Sequence, residues 1–221
     1  MPVTAFQRRA RRGTALLAAV LALALPACSE NPATGKRQLA LISEQQELEI
    51  GRETAREVEG SLGLVDDADL QAYVQAVGAR LAAGSERPAL PWSFKVVDDP
   101  TPNAFALPGG YIYVTRGLLA LMNSEAELAA VLGHEIAHVT ARHSVQMLSR
   151  AQLAEAGLSL GVRLFPNLER VAQFTAGGLQ LIFLKHGRDA ERQADELGFR
   201  YTLEQGYDVR EMKDVFVQLQ R

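Results

Sequence analysis

Three of the chain's four histidines lie close together in Asn123 to Ser144 (NSEAELAAVLGHEIAHVTARHS), and His134-Glu135-Ile136-Ala137-His138 is an H-E-x-x-H. On a helix, at about 100° per residue, His134 and His138 sit about 40° apart on one face, a turn above one another. Two imidazoles placed so can hold one metal ion. Glu135 projects about 100° to the side of His134, where its carboxylate reaches a water at the ion more easily than the ion itself. It is placed as a general base.

The element that must present these residues is predicted from its start. Ser124 followed three residues later by Glu127 reads as a capping box, in which each side chain satisfies a free backbone N–H. Leu128, Val131, Leu132, Ile136 and Val139 then recur at helical intervals. No Gly or Pro pair interrupts them until well past His143. A continuous helix through His143 is therefore expected, with the motif in its middle.

A hydrolytic zinc site needs three protein ligands and an open position for water. One source of the third is the extension H-E-x-x-H-x-x-G-x-x-H, but positions 141 and 144 are Ala141 and Ser144. His143 misses by one residue and, on a continuous helix, points about 140° away from His138. The other source is a later helix: in Gly187 to Gly198 (GRDAERQADELG), Glu191 and Asp195 stand four apart on one face, with Gly206 as a stop. Glu191 can ligate while Asp195 accepts the outer N–H of a ligand histidine. Taken alone, that pair also fits a solvated helix face.

The chain has 221 residues, 48% hydrophobic and 22% charged, enough for one globular core with appendages. Its first 27 residues hold Arg8, Arg9, Arg11 and Arg12 and no acid, which leaves 19 basic against 26 acidic residues in the remainder. A body of that sign repels phosphates, so nucleic acid is not expected as a partner. Thr14 to Leu25 is an apolar run of 12 residues, shorter than the roughly 20 a bilayer needs and suited to an export signal. Leu25-Pro26-Ala27-Cys28 resembles the bacterial lipobox, although Pro26 departs from the usual residue there. Cys28, the sole cysteine, excludes an internal disulfide and is the expected lipidation site, anchoring the chain without a spanning helix.

Three divisions follow: a signal peptide over 1–27, a lipidated Cys28 with a polar tether to 42, and a catalytic domain over 43–221. Within the domain, Ser43 and Gln46 form a second capping box for a helix reaching toward Leu62, and Asp66 or Asp67 caps another over roughly Ala68 to Ala83. Trp92 to Val97, Ala104 to Leu107 and Tyr111 to Val114 read as short strands. The fold class is α+β, mainly helical, with a small sheet beside the H-E-x-x-H helix. Asn103, Ala104, Phe105 and Ala106 form its candidate open edge, where an extended peptide could pair its backbone. After His143 the pattern is helical to Leu164, breaks at Phe165-Pro166-Asn167 and resumes from Leu168 to Leu184 as either a core helix pair or an apolar flap. Charges at Arg163, Glu169 and Arg170 exclude a membrane span.

Four segments together, NPATGKRQLALISEQQELEIG (31–51), NAFALPGGYIYVTRGLL (103–119), HEIAHVTARHS (134–144) and ERQADELG (191–198), resemble the zinc endopeptidases of metallopeptidase family forty-eight, in their bacterial lipoprotein branch. That resemblance implies a gluzincin-type domain with one Zn²⁺ per chain, Glu191 as third ligand and Asp195 behind a ligand histidine. It also implies a quality-control protease of the cell envelope acting on unfolded polypeptides. Gly187-Arg188 departs from the family's usual Ser-Arg. Relatives continue past the position of Arg221, so oxyanion-stabilising groups are expected beyond it. The rival from another class is a chaperone-like lipoprotein that holds unfolded envelope proteins and uses zinc for stability alone.

Overall fold

The computed structural model describes residues 28–164, 186–208 and Arg210. The expected signal peptide, and the apolar stretch from Phe165 to Leu184, lie outside them. Among the described residues no helix is long and apolar enough to cross a membrane.

A hairpin of β1 (Cys28–Glu30) and β2 (Arg37–Leu39) opens the described chain, paired antiparallel. Helix α1 (Glu44–Leu62) starts where the capping box predicts. The Gln46 N–H donates to Ser43 Oγ at 3.2 Å and the Ser43 N–H donates to Gln46 Oε1 at 2.9 Å. Helix α2 (Ala68–Ala83) starts at Asp67, whose Oδ1 accepts the Leu70 N–H at 2.9 Å. Strands β3 (Ser93–Val97), β4 (Ala104–Leu107) and β5 (Tyr111–Thr115) form one sheet in the order β3-β5-β4. β3 runs parallel to β5, and β4 antiparallel to it. A tight turn over Pro108–Gly110 joins β4 to β5, with Gly109 at φ 80° and Gly110 at φ 100°. These are backbone angles that only glycine takes at little cost. Then come α3 (Arg116–Leu119), α4 (Glu125–Thr140), α5 (His143–Leu164) and α6 (Arg188–Glu204).

Helix α4 carries the H-E-x-x-H and is the centre of the main core. Leu128, Leu132, Ile136 and Val139 are all buried with Val74, Leu81, Phe94 and Ile112 from α2 and the sheet, and with Ala194, Leu197 and Tyr201 from α6. Each large aliphatic side chain removed from water there contributes about 1.5–3 kcal/mol. A helix apolar on nearly every side has to be enclosed, and enclosure holds the motif rigid.

Two glycines set how closely α6 crosses α4. A Cβ on Gly198 would stand 2.7 Å from the His134 backbone nitrogen, and one on Gly133 would stand 3.0 Å from the Gly198 carbonyl oxygen. The backbones therefore touch beside His134. Asp195 and Glu191, one and two turns before Gly198, are carried over the histidine pair by this contact.

Two expectations are corrected. The polar stretch from Ser29 to Gln38 is no free tether: Asn31 and Gln38 are 5% and 9% exposed. Asn31 Nδ2 donates to the Ala141 carbonyl at 3.3 Å, and the Leu41 N–H donates to Ser149 Oγ at 2.9 Å. Turn-forming residues here satisfy one another and dock on the body.

The second correction concerns the helix through His143. Helix α4 ends at Thr140, Arg142 adopts φ 58°, and α5 begins at His143. A non-glycine residue held at positive φ costs about 1–3 kcal/mol, and a buried ion network holds it. Arg142 Nε donates to Glu47 Oε2 at 2.8 Å and its Nη2 to the Ile42 carbonyl at 3.1 Å. Arg87 donates to the same Glu47 at 2.7 Å and to the Val139 carbonyl at 3.2 Å. Glu47 is 1% exposed. The bend is thus imposed by a residue almost a hundred positions away, not by a helix breaker.

Candidate metal centre

The fold brings His134, His138 and Glu191 to one point. His134 Nε2 and His138 Nε2 are 3.0 Å apart, and the Glu191 carboxylate oxygens lie 3.5 Å from the first and 3.8 Å from the second. These three residues are the group of His, Cys, Asp and Glu side chains that could hold an ion among the described residues. Ligands about 2.0–2.1 Å from a tetrahedral ion stand about 3.3 Å from one another. The observed edges bracket that value, so the donor set fits a small divalent metal.

Each histidine is also held from behind. His134 Nδ1 lies 3.0 Å from Asp195 Oδ1, as the spacing of Glu191 and Asp195 predicts. His138 Nδ1 lies 2.9 Å from Nδ1 of His143, whose Nε2 is in turn 2.9 Å from Gln193 Oε1. The ring of His186 stacks on His138, with centroids 4.1 Å apart and planes 22° from parallel. All four histidines of the chain therefore gather here.

The electrostatics follow from burial and contacts. Burial disfavours a charged His134, yet its hydrogen bonds to Asp195 and Glu191 outweigh that and carry its pKa up to about 10. His138 is driven well below the usual histidine value by burial first and then by the neighbouring rings of His134, His186 and His143. The hydrogen bond from His134 leads the effects that lower Glu191. Burial raises Glu135 to about 7, opposed in part by His134 and by the backbone N–H of Ala106.

That last contact ties the sheet to the site. The Thr115 N–H donates to the Asn103 carbonyl at 3.0 Å, so strand alternation turns the peptide groups of Ala104 and Ala106 away from β5. Among the described residues no strand pairs with that outer edge. Asn103, Ala104, Phe105 and Ala106 are half-buried, and the edge stands beside Glu135. Cys28 opens β1 at the start of the docked hairpin.

Sequence reasoning missed the rest. It set His143 aside by assuming an unbroken helix, and had no role for His186 or Gln193. The available signal was compositional: the fourth histidine stands five residues before Glu191, so every histidine in the chain lies in or next to a ligand-bearing segment.

An H-E-x-x-H on a buried helix, closed by a glutamate from a second helix, defines a metallopeptidase type of site. The chain belongs to Peptidase family M48, which it matches over residues 68–220. It is 30% identical over 204 residues to a beta-barrel assembly-enhancing protease of Yersinia pestis, an alignment covering 88% of this chain and 42% of that protein. It is 34% identical over 145 residues to the mitochondrial metalloendopeptidase OMA1 of Schizosaccharomyces pombe, covering 65% and 42%. Against the beta-barrel assembly-enhancing protease of Escherichia coli it is 27% identical over 189 residues, covering 82% and 39%. The chain thus spans less than half the length of each of these relatives.

Proposed function

We propose that this chain is a zinc-dependent endopeptidase, gluzincin in type, that cleaves unfolded or unassembled proteins of the cell envelope. The observation that carries the reading is the convergence of His134 Nε2, His138 Nε2 and the Glu191 carboxylate within 3.0 to 3.8 Å, with Glu135 one residue away on the same helix. Those three residues would hold the ion. The chemistry zinc supplies in such a site is Lewis acidity, which brings the pKa of water down to about 7 and polarises a carbonyl.

The remaining work falls to the chain. Glu135 takes a proton from the attacking water and returns it to the leaving amine, a role served by a carboxyl that burial lifts to about 7. Asp195 fixes the orientation of His134 from its outer nitrogen. The open edge from Asn103 to Ala106 aligns an extended substrate by backbone pairing, which selects for unfolded chain over folded domains. Names of relatives support a protease of this kind. Export and anchoring at Cys28 place it in the periplasm on the outer membrane, a reading supported by the arginines, the apolar run and the lipobox-like residues before Cys28. Cleavage of casein by the purified protein tests this reading. The expected result is hydrolysis abolished by a chelator and restored by zinc, and undiminished cleavage in chelator would overturn it.

A further inference from the structure

We propose that His143 and Gln193 are positioning residues for the metal: together they fix which nitrogen of His138 carries the proton. The inference rests on the metal-centre reading above. It starts from geometry that reading does not use.

His143 is 4% exposed, and both of its ring nitrogens are engaged, Nδ1 with His138 Nδ1 and Nε2 with Gln193 Oε1, each at 2.9 Å. Two neutral imidazole nitrogens that close need one donor and one acceptor. If His138 is to offer its Nε2 lone pair to a cation, its proton must sit on Nδ1 and point at His143 Nδ1. His143 must then accept there and carry its own proton on Nε2, where the Gln193 amide oxygen accepts it. The chain of donors runs one way, from His138 to His143 to Gln193. Reversing it would place the proton of His138 on Nε2 and block the metal.

Asp195 does the same for His134 with a formal charge, whereas His143 does it with a neutral ring. The difference suits the two surroundings, since Asp195 is exposed and His143 is enclosed. A carboxylate in that enclosed position would lose its hydration, a cost that a neutral ring avoids. The bend at Arg142, locked to Glu47, is what brings His143 to this place.

The test uses the full chain and Zn²⁺, with affinity read by competition against a chromophoric chelator and the metal-free proteins compared by thermal melting. Loss of an outer partner of a metal-bound histidine typically weakens metal binding about 10–100-fold. That loss is expected for His143→Phe and for Gln193→Leu, with Gln193→Glu, which keeps an acceptor oxygen, remaining near the parent. Should His143→Phe fail to fold, Gln193→Leu carries the test. Nitrogen-15 NMR of the zinc-loaded chain should show the His143 proton on Nε2 and the His138 proton on Nδ1. Zinc affinity within twofold of the parent in folded His143→Phe and Gln193→Leu, or a His143 proton on Nδ1, would overturn the proposal. If His134→Ala and Glu191→Ala also leave zinc binding intact, the metal centre itself is wrong. If those two abolish binding while His143→Phe and Gln193→Leu do not, only this inference falls.

Discussion

Replacing Gly198 by alanine adds one methyl group at the place where α6 crosses α4. The new Cβ would meet the His134 nitrogen at 2.7 Å, the Gly133 carbonyl carbon at 2.9 Å and the His134 Cα at 3.0 Å. All three are backbone atoms and cannot rotate away. Ordinary contacts need about 3.5–4.0 Å, so the helices must part by about 0.8 Å or more. Glu191 and Asp195 move with α6, and metal sites tolerate about 0.2 Å, so zinc affinity should fall at least tenfold. A displacement approaching 1 Å costs about 100-fold in turnover. Stability responds less, because overpacking costs about 1–3 kcal/mol while alanine is about 1 kcal/mol better than glycine in a helix. The control is Gly60→Ala in α1, where an added Cβ meets nothing within 4 Å. It should raise the melting temperature by about 1–4 °C. Chelator competition and melting curves on both variants decide the matter. If Gly198→Ala binds zinc like the parent and gains stability like Gly60→Ala, the close crossing does not set the site.

Three further outcomes are expected. Glu47→Ala leaves the buried Arg87 and Arg142 without their shared carboxylate, which should cost about 3–5 kcal/mol by chemical denaturation; a loss under about 1 kcal/mol would contradict that network's role. His134, raised to about 10 before metal binds, holds a proton at neutral pH that zinc must displace. Calorimetry in buffers of different ionisation enthalpy should therefore show about one proton released near pH 7, with release shrinking as pH rises through the folded pKa, and no release would count against the Asp195 and Glu191 contacts. Ala106→Pro removes the N–H that favours the charged form of Glu135 and leaves the β5 ladder intact. The acid limb of the pH–rate profile should move upward and kcat/KM should fall, with an unchanged profile contradicting the contact.

Much of this was legible in the residues because local rules governed it. Ser43, Asp67 and Ser124 cap the helices they were expected to cap, and strands fall at 93–97, 104–107 and 111–115. The pairing of His134 with His138 needed only helical geometry. Bringing Glu191 to them needed an argument from missing valence and from family resemblance, since spacing across separate helices carries no direct signal. What stayed hidden is long-range. Neither Ala141 nor Arg142 is a helix breaker, and the left-handed turn at Arg142 exists because Glu47, far away in sequence, holds its guanidinium in the core. Without that turn His143 points away, which is why periodicity misjudged it. The docked hairpin was missed for a similar reason, since a polar composition with Pro and Gly says nothing of which body its side chains will reach.

The most direct measurement pairs metal content with turnover in one substitution, Glu135→Gln, which keeps the side chain's size and removes its capacity to take a proton. The account expects one zinc per chain in both the parent and the variant, with casein cleavage present in the first and reduced to background in the second. A variant that still cleaves at the parent's rate, or a parent that cleaves while holding no metal, would contradict it.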